Sequence, residues 1–215
     1  MNNYCFWDDI EVIKFFGEDT PSEEVVEFLK NLKTVNNTKI LDLGFGGGRH
    51  TEIIAKMGFD TYGCDPCNGM INYTKNRLKE KGLKAKIIKA RMQNLPYEES
   101  FFDAVIANGV FHQAISLNDF IKSIKETTRV LKNNSFLYVN VFFLNEHIYN
   151  TYYSKEKEVY TFFTEKGLMT TFLPKTKFLE IMRNNNLELE KIVSIKTTKI
   201  STGYRPTLKA IFKKT

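Results

Sequence analysis

The chain has 215 residues, of which 42% are hydrophobic, 13% aromatic and 26% charged, enough apolar material for one core and too short for two full domains. That balance excludes disordered, collagen-like and low-complexity chains, which lack the apolar surface to offset chain entropy. The net charge is +6, but only six of the 31 basic residues are Arg and they are scattered, so a nucleic-acid footprint is possible but not favoured.

Residues 1–35 carry a balance of −5 and the remainder +11. A basic body attracts anionic ligands without specifying a fold. The opening MNNYCFWDDIEV has no basic start followed by an apolar core, and the longest apolar run, Phe136 to Leu144, is short and broken by Asn140. Neither an export signal nor a membrane span is expected, and the three cysteines read as reduced thiols. The expectation is a soluble cytoplasmic protein.

Along the chain, Thr20-Pro21-Ser22-Glu23 marks a helix start, with Thr20 as cap, Pro21 at the first helical position and Glu23 closing a capping box. Val25, Val26, Leu29 and Leu32 form its apolar stripe. Lys39 to Leu43 is a short apolar run cut off by glycines, which predicts a buried strand entering a tight loop. A helix bearing Ile53, Ile54 and Met57 follows, then a strand at Thr61 to Cys64, a helix over 68–81, and strands at Ala85 to Lys89 and Phe102 to Ala107. Phe120, Ile124, Thr127 and Leu131 recur at helical spacing within 118–131, ahead of a strand from Ser135 to Phe143. Such alternation implies parallel strands with helical crossovers, a doubly wound α/β fold.

Residues 144–174 break the rhythm with aromatics in no clean period. A helix is expected over 176–185, and alternation in Leu187 to Lys199 and Leu208 to Phe212 predicts a closing antiparallel pair. The whole reads as one domain: an N-terminal helical segment (1–37), a core (38–143), a possible lid (144–174) and a closing helix and strands (175–215).

Ligands of open parallel sheets sit beyond the carboxyl ends of the strands, where the winding reverses. Asp42-Leu43-Gly44-Phe45-Gly46-Gly47-Gly48-Arg49 marks that place, because glycines accept positive φ and the next helix offers free N–H groups. Asp65 stands 21 residues after Gly44, the distance expected for a ribose-binding acid on the neighbouring strand. The dinucleotide fingerprint G-x-G-x-x-G/A fails, since its third glycine falls on Arg49 or Thr51. Asp42 before the loop can instead engage the ammonium end of a zwitterionic ligand.

ILDLGFGGGRHTEIIA followed by TYGCDPCNGM resembles the cofactor-binding half of class I S-adenosylmethionine-dependent methyltransferases. IIKARMQNLPYEESFFDAVIANGVFHQ and TTRVLKNNSFLYVNVF extend the similarity over about residues 38–143. The resemblance implies a seven-stranded, mostly parallel sheet and S-adenosyl-L-methionine as cofactor. Asp42, Gly44 and Gly46 would then meet its methionine part, Asp65 its ribose, and Met70 and the Met92 N–H its adenine, with Phe45, Pro66 and Arg91 as further cofactor-binding positions. The family usually has an acid where Arg91 stands, and arginine can only donate. Cys67 replaces a frequent Ser cap, a role Asn68 could assume.

After the fourth strand, Asn108-Gly109-Val110-Phe111-His112-Gln113 faces the methyl donor in that architecture. Asn108 and His112 are therefore the candidate catalytic residues, with Asn108 also a cofactor contact, although a hydrogen-bonded structural His112 explains the residue as well. His50 reads as a first-turn helix residue, and His147 lies in the irregular segment. Cys64-Asp65-Pro66-Cys67 is a single C-x-x-C without a partner pair, so no metal site is expected. The implied activity is methyl transfer to a small-molecule substrate, with an RNA or protein methyltransferase, or a non-catalytic S-adenosylmethionine-binding protein, as alternatives.

Overall fold

The computed structural model describes residues 4–32, 37–146, 153–158, 160–164, 167–200 and 203–215. In chain order the elements are α1 (Tyr4–Trp7), α2 (Ile10–Gly17), α3 (Glu23–Asn31), β1 (Lys39–Leu43), α4 (Arg49–Lys56), β2 (Asp60–Asp65), α5 (Asn68–Glu80), β3 (Lys86–Lys89), β4 (Phe102–Asn108), α6 (Leu117–Val130) and β5 (Leu131–Phe142). Then come β6 (Tyr153–Glu158), β7 (Thr161–Thr164), β8 (Met169–Thr171), α7 (Lys175–Arg183), β9 (Leu187–Ile200) and β10 (Gly203–Lys214).

The seven-stranded sheet has the order β3-β2-β1-β4-β5-β10-β9, parallel from β3 to β5, with β10 antiparallel to both neighbours. Winding reverses between β1 and β4, so a crevice opens at the carboxyl ends there. On β1 the side chains diverge: Leu41 and Leu43 join a core with Phe120, Ile124 and Phe178, whereas Ile40 joins Val25, Leu29 and Ile54. A strand apolar on both faces needs helices on both faces, which is the doubly wound architecture the sequence predicts.

Several boundaries differ from the sequence reading. Among its described residues the N-terminal segment holds three helices instead of one. Asp9 caps α2, its carboxylate accepting from Glu11 and Val12 N–H at 2.8 and 3.3 Å, and Trp7, Ile13 and Phe16 pack with Phe45, Met70 and Ile71. Helix α3 starts at Glu23 with Ser22 as cap residue in place of Thr20, and the Ser22 N–H donates to His50 Nε2 at 3.2 Å. Asn68 is not the cap of α5 but its first helical residue, accepting from Lys89 Nζ at 2.8 Å. The cap is supplied from 61 positions away, by Asp8 accepting from Gly69 N–H at 2.7 Å, a partner no local pattern reveals.

Strand β5 begins at Leu131, directly after α6, and within it Asn134 takes φ 62°, a left-handed conformation asparagine tolerates. Strand β10 begins at Gly203 despite Pro206, whose carbonyl still accepts from Phe143 N–H at 3.2 Å. The described part of 144–174 is ordered, with β6, β7 and β8 forming a small antiparallel sheet and Phe162 and Phe172 packing with Phe142 and Leu144. His147 falls outside the described residues.

Glu52 on α4 is buried and accepts from Lys56 Nζ and Arg77 Nε at 2.5 Å each and from Lys81 Nζ at 2.7 Å. Arg77 also donates to the Gly17 carbonyl, so one carboxylate ties α4 to α5 and, through Arg77, to α2. Removing it strands three cations around a buried gap. Glu52→Ala is expected to cost about 1–3 kcal/mol of stability, read as a lower urea midpoint at unchanged slope.

Candidate functional site

A cavity of about 840 Å³ lies over the carboxyl ends of β1, β2 and β4. Asp42, Gly44, Phe45, Gly46, Asp65, Pro66, Met70, Arg91, Met92, Asn108 and His112 all line it. The fold thus brings together every residue given a catalytic or cofactor role from sequence, though they come from four separate segments.

The glycine loop leaves β1 with Gly44 at φ 67° and Gly46 at φ 54°, backbone that side-chain-bearing residues rarely adopt. A Cβ on Gly44 would sit 2.5 Å from the Val110 side chain, whereas one on Gly46 would meet nothing within 4 Å. Gly46 therefore presents bare backbone to the open cavity, a place where a ligand can approach the main chain. Its N–H donates to Asp65 Oδ2 at 3.1 Å, and its carbonyl accepts from Thr74 Oγ1 at 2.9 Å.

Two carboxylates flank this loop. Asp65 ends β2 and also accepts from Cys67 N–H at 2.9 Å; burial raises its carboxyl to about 6 against those hydrogen bonds. Asp42 on β1 accepts from Thr51 Oγ1 at 2.6 Å. Burial, opposed by Thr51 and assisted by the charge of Asp65, raises it to about 7. An acid so placed gains from a cationic ligand, which would offset the desolvation of its charged form. The flexible glycine backbone, the two carboxylates and the adjoining apolar wall together fit a zwitterionic, sulfonium-bearing nucleoside.

Phe45 lines the cavity and packs in one buried cluster with Ile13 and Met70. Met70 is itself almost wholly buried, and Arg91 is exposed at the rim. Cys64 and Cys67 line the cavity with buried, unoxidised thiols whose pKa is pushed up by desolvation. Among the described residues, no group of three or more His, Cys, Asp or Glu is arranged to hold a metal.

Asn108 accepts from Asn140 Nδ2 at 3.2 Å. His112 is buried, stacks on Phe142 at 4.2 Å, and its Nδ1 accepts from the Phe142 N–H at 3.3 Å. That bond assigns the ring proton to Nε2, and burial, aided by Arg205, lowers the pKa to about 3. A neutral ring with Nδ1 already engaged is a donor at Nε2, not a ready base. His50 is likewise buried and lowered to about 3 by desolvation first.

Sequence reasoning missed much of the far wall. Trp7 and Phe16 enter from the N-terminal helices, Met169 from β8, and Asn140, Phe142, Lys196, Thr198, Arg205, Thr207 and Lys209 from β5, β9 and β10. The available signal was the period-two alternation of Arg205, Thr207 and Lys209, together with the Asn140 that interrupts an apolar strand.

Residues 41–139 match the family model of the methyltransferase domain. A human protein named probable tRNA methyltransferase 9B is 30% identical over 132 residues, 61% of this chain and 26% of its own length. The ubiquinone biosynthesis O-methyltransferase of Azorhizobium caulinodans is 27% identical over 111 residues, 52% of this chain and 40% of its own. This chain spans about a quarter of the length of the first of these curated relatives. Among solved structures, a SAM-dependent methyltransferase from Methanosarcina mazei superposes with a TM-score of 0.75 at 21% identity, over 91% of this chain and 99% of that one. Over residues 41–139 the chain matches the methyltransferase domain, and its glycine loop, paired acids and sheet order agree with that match.

Proposed function

We propose that this domain transfers a methyl group from S-adenosyl-L-methionine to a small-molecule acceptor. The reading rests chiefly on the single cavity that runs from the glycine loop and Asp65 past Asn108 and His112 to the β9–β10 wall. It gives one continuous space for a nucleoside and a second ligand, in the size range of small-molecule sites. When bound, the cofactor supplies a methyl group already activated by its sulfonium. The protein's work is then alignment and exclusion of water, and positioning can supply up to about 7–11 kcal/mol of a barrier.

In this reading Asp65 accepts the two ribose hydroxyls, since a carboxylate holding two N–H bonds keeps lone pairs for more. Asp42 faces the ammonium group, Gly44, Phe45 and Gly46 offer backbone to the methionine part, and Pro66, Met70, Arg91 and Met92 border the adenine. Asn108 sits between cofactor and acceptor, and His112 donates from Nε2 to orient the acceptor.

A second reading, an RNA acceptor, draws support from the printed names of the tRNA methyltransferase relatives. Incubation with methyl-labelled cofactor and a cell extract separates the two. Label in the fraction below a few kilodaltons is expected, and label confined to RNA would establish the second reading instead.

Asp65→Ala is expected to weaken S-adenosylhomocysteine binding by about tenfold to 100-fold, from charged hydrogen bonds worth roughly 1.5–3 kcal/mol each. Gly46→Val, which fills the open space at φ 54°, should reduce it further in a protein that keeps its circular-dichroism spectrum. Unchanged titration calorimetry in both would move the site elsewhere.

The buried acids also set a pH dependence. Asp42 and Asp65 titrate near about 7 and about 6 without ligand, so protons compete with a cationic ligand as pH falls through that window. S-adenosylmethionine affinity is expected to drop by about tenfold or more between pH 8 and pH 5.5. In Asp42→Asn the drop should shrink.

A further inference from the structure

Strand β9 ends the order of the seven-stranded sheet, so among the described residues no strand pairs with its outer edge. Three of the six large apolar side chains that stand well exposed among the described residues lie on it: Leu189 at 41%, Ile192 at 41% and Ile195 at 44%. Their spacing of three would scatter them over both faces of a regular strand. Two bulges prevent that. Register pairs Ile195 with Leu208, Ile192 with Ala210 and Leu189 with Phe212, leaving Val193 and Glu190 as the extra residues. Leu208, Ala210 and Phe212 are buried in the core with Phe178 and Met182 of α7, and residues directly opposite one another share a face. The three apolar side chains therefore form one exposed stripe that carries the core surface out to the sheet edge.

An open edge bearing an apolar row offers itself to another strand, and β9 is complementary to itself. Leu189 and Ile195 lie at equal distances on either side of Ile192, so a two-fold axis through Ile192 sets Leu189 against the partner's Ile195 and Ile192 against the partner's Ile192. The same axis sets Glu188 against the partner's Lys196. Glu188 pairs with Lys213 and Lys196 with Thr207, which places both charged residues on the face opposite the apolar stripe. Within its own chain Glu188 meets only Arg183 Nε at 3.9 Å among the described residues, a contact between exposed groups that contributes little. Lysines on an edge guard it against pairing, and here they select the register. Moving the axis so that Ile192 meets the partner's Ile195 would set Lys191 against the partner's Lys196, a like-charge pair.

We propose that β9 is a dimer interface: two copies of this chain join edge to edge, antiparallel about Ile192, into one sheet continuous through both subunits. The contact is isologous, with the same patch used by both copies, and it closes the open edge of each. It takes the apolar stripe out of water, extends the backbone ladder, and pairs Glu188 with the partner's Lys196 twice, once on each side of the axis. Because Lys196 also borders the cavity, the arrangement brings Glu188 of the partner subunit to the cavity margin.

Sedimentation of the full chain at micromolar concentration tests this, and a dimer is expected. Ile192→Lys, which places two ammonium groups on the axis, should weaken association by about tenfold or more, whereas Ile10→Lys, the same change at a more exposed apolar residue of α2, should leave it as it is. Glu188→Lys and Lys196→Glu should each weaken it by about tenfold, since each turns two attractive pairs into repulsive ones, and the two substitutions combined should restore it. Both positions are exposed, so these reversals carry the test even if Ile192→Lys fails to fold. A monomer throughout the range overturns the proposal, as does a folded Ile192→Lys protein that still dimerises. A dimer indifferent to both charge reversals, or one that the combined variant does not restore, overturns it as well.

Discussion

Two carboxylates buried at the ends of adjacent parallel strands, with bare glycine backbone between them, are the constraint around which this molecule is arranged. Burial raises the cost of ionising both acids, and for Asp42 the charge of Asp65 adds to it; the fold contains that cost with a few short-range donors: Thr51, Gly46 N–H and Cys67 N–H. Neither acid is given a protein cation among those donors. The site is consequently poised for a positively charged ligand, and the strain of maintaining it falls on the loop, where left-handed φ values require glycine.

The surrounding architecture serves that arrangement. Helix α4 starts at the loop and brings Thr51 to Asp42, while α5 brings Thr74 to the Gly46 carbonyl. The N-terminal helices close the crevice from outside: a Cβ on Gly47 would meet the Gly17 backbone at 2.3 Å, so α2 and the loop are in backbone contact. Asp8 then fixes the start of α5. Stability and site geometry are thus shared between the same few contacts, since the Glu52 cluster that joins α4 to α5 also reaches Gly17 through Arg77.

The two ends of the cavity are opposite in charge. The buried Asp42 and Asp65 lie at the glycine-loop end, and Lys196, Arg205 and Lys209 lie on the β9–β10 wall. Such polarity orients ligands as well as binding them, because each end repels what the other attracts. His112 stands between the ends as a neutral donor, its Nδ1 occupied by backbone, which suits chemistry in which alignment does most of the work and proton removal little.

Much of this was legible in the sequence because it depends on local chemistry. Apolar runs of strand length, the glycine cluster and the acid on the next strand fix the alternation and the cofactor loop, since strand period, positive φ and winding reversal are properties of neighbouring residues. Tertiary structure alone decided what depends on distant partners. Asp8 caps a helix 61 positions away, His112 loses its free Nδ1 to a strand 30 residues on, and Arg205, Thr207 and Lys209 become a cavity wall only because β10 inserts antiparallel between β5 and β9. Alternation tells that such residues share a face; only packing determines whether that face meets solvent, core or ligand.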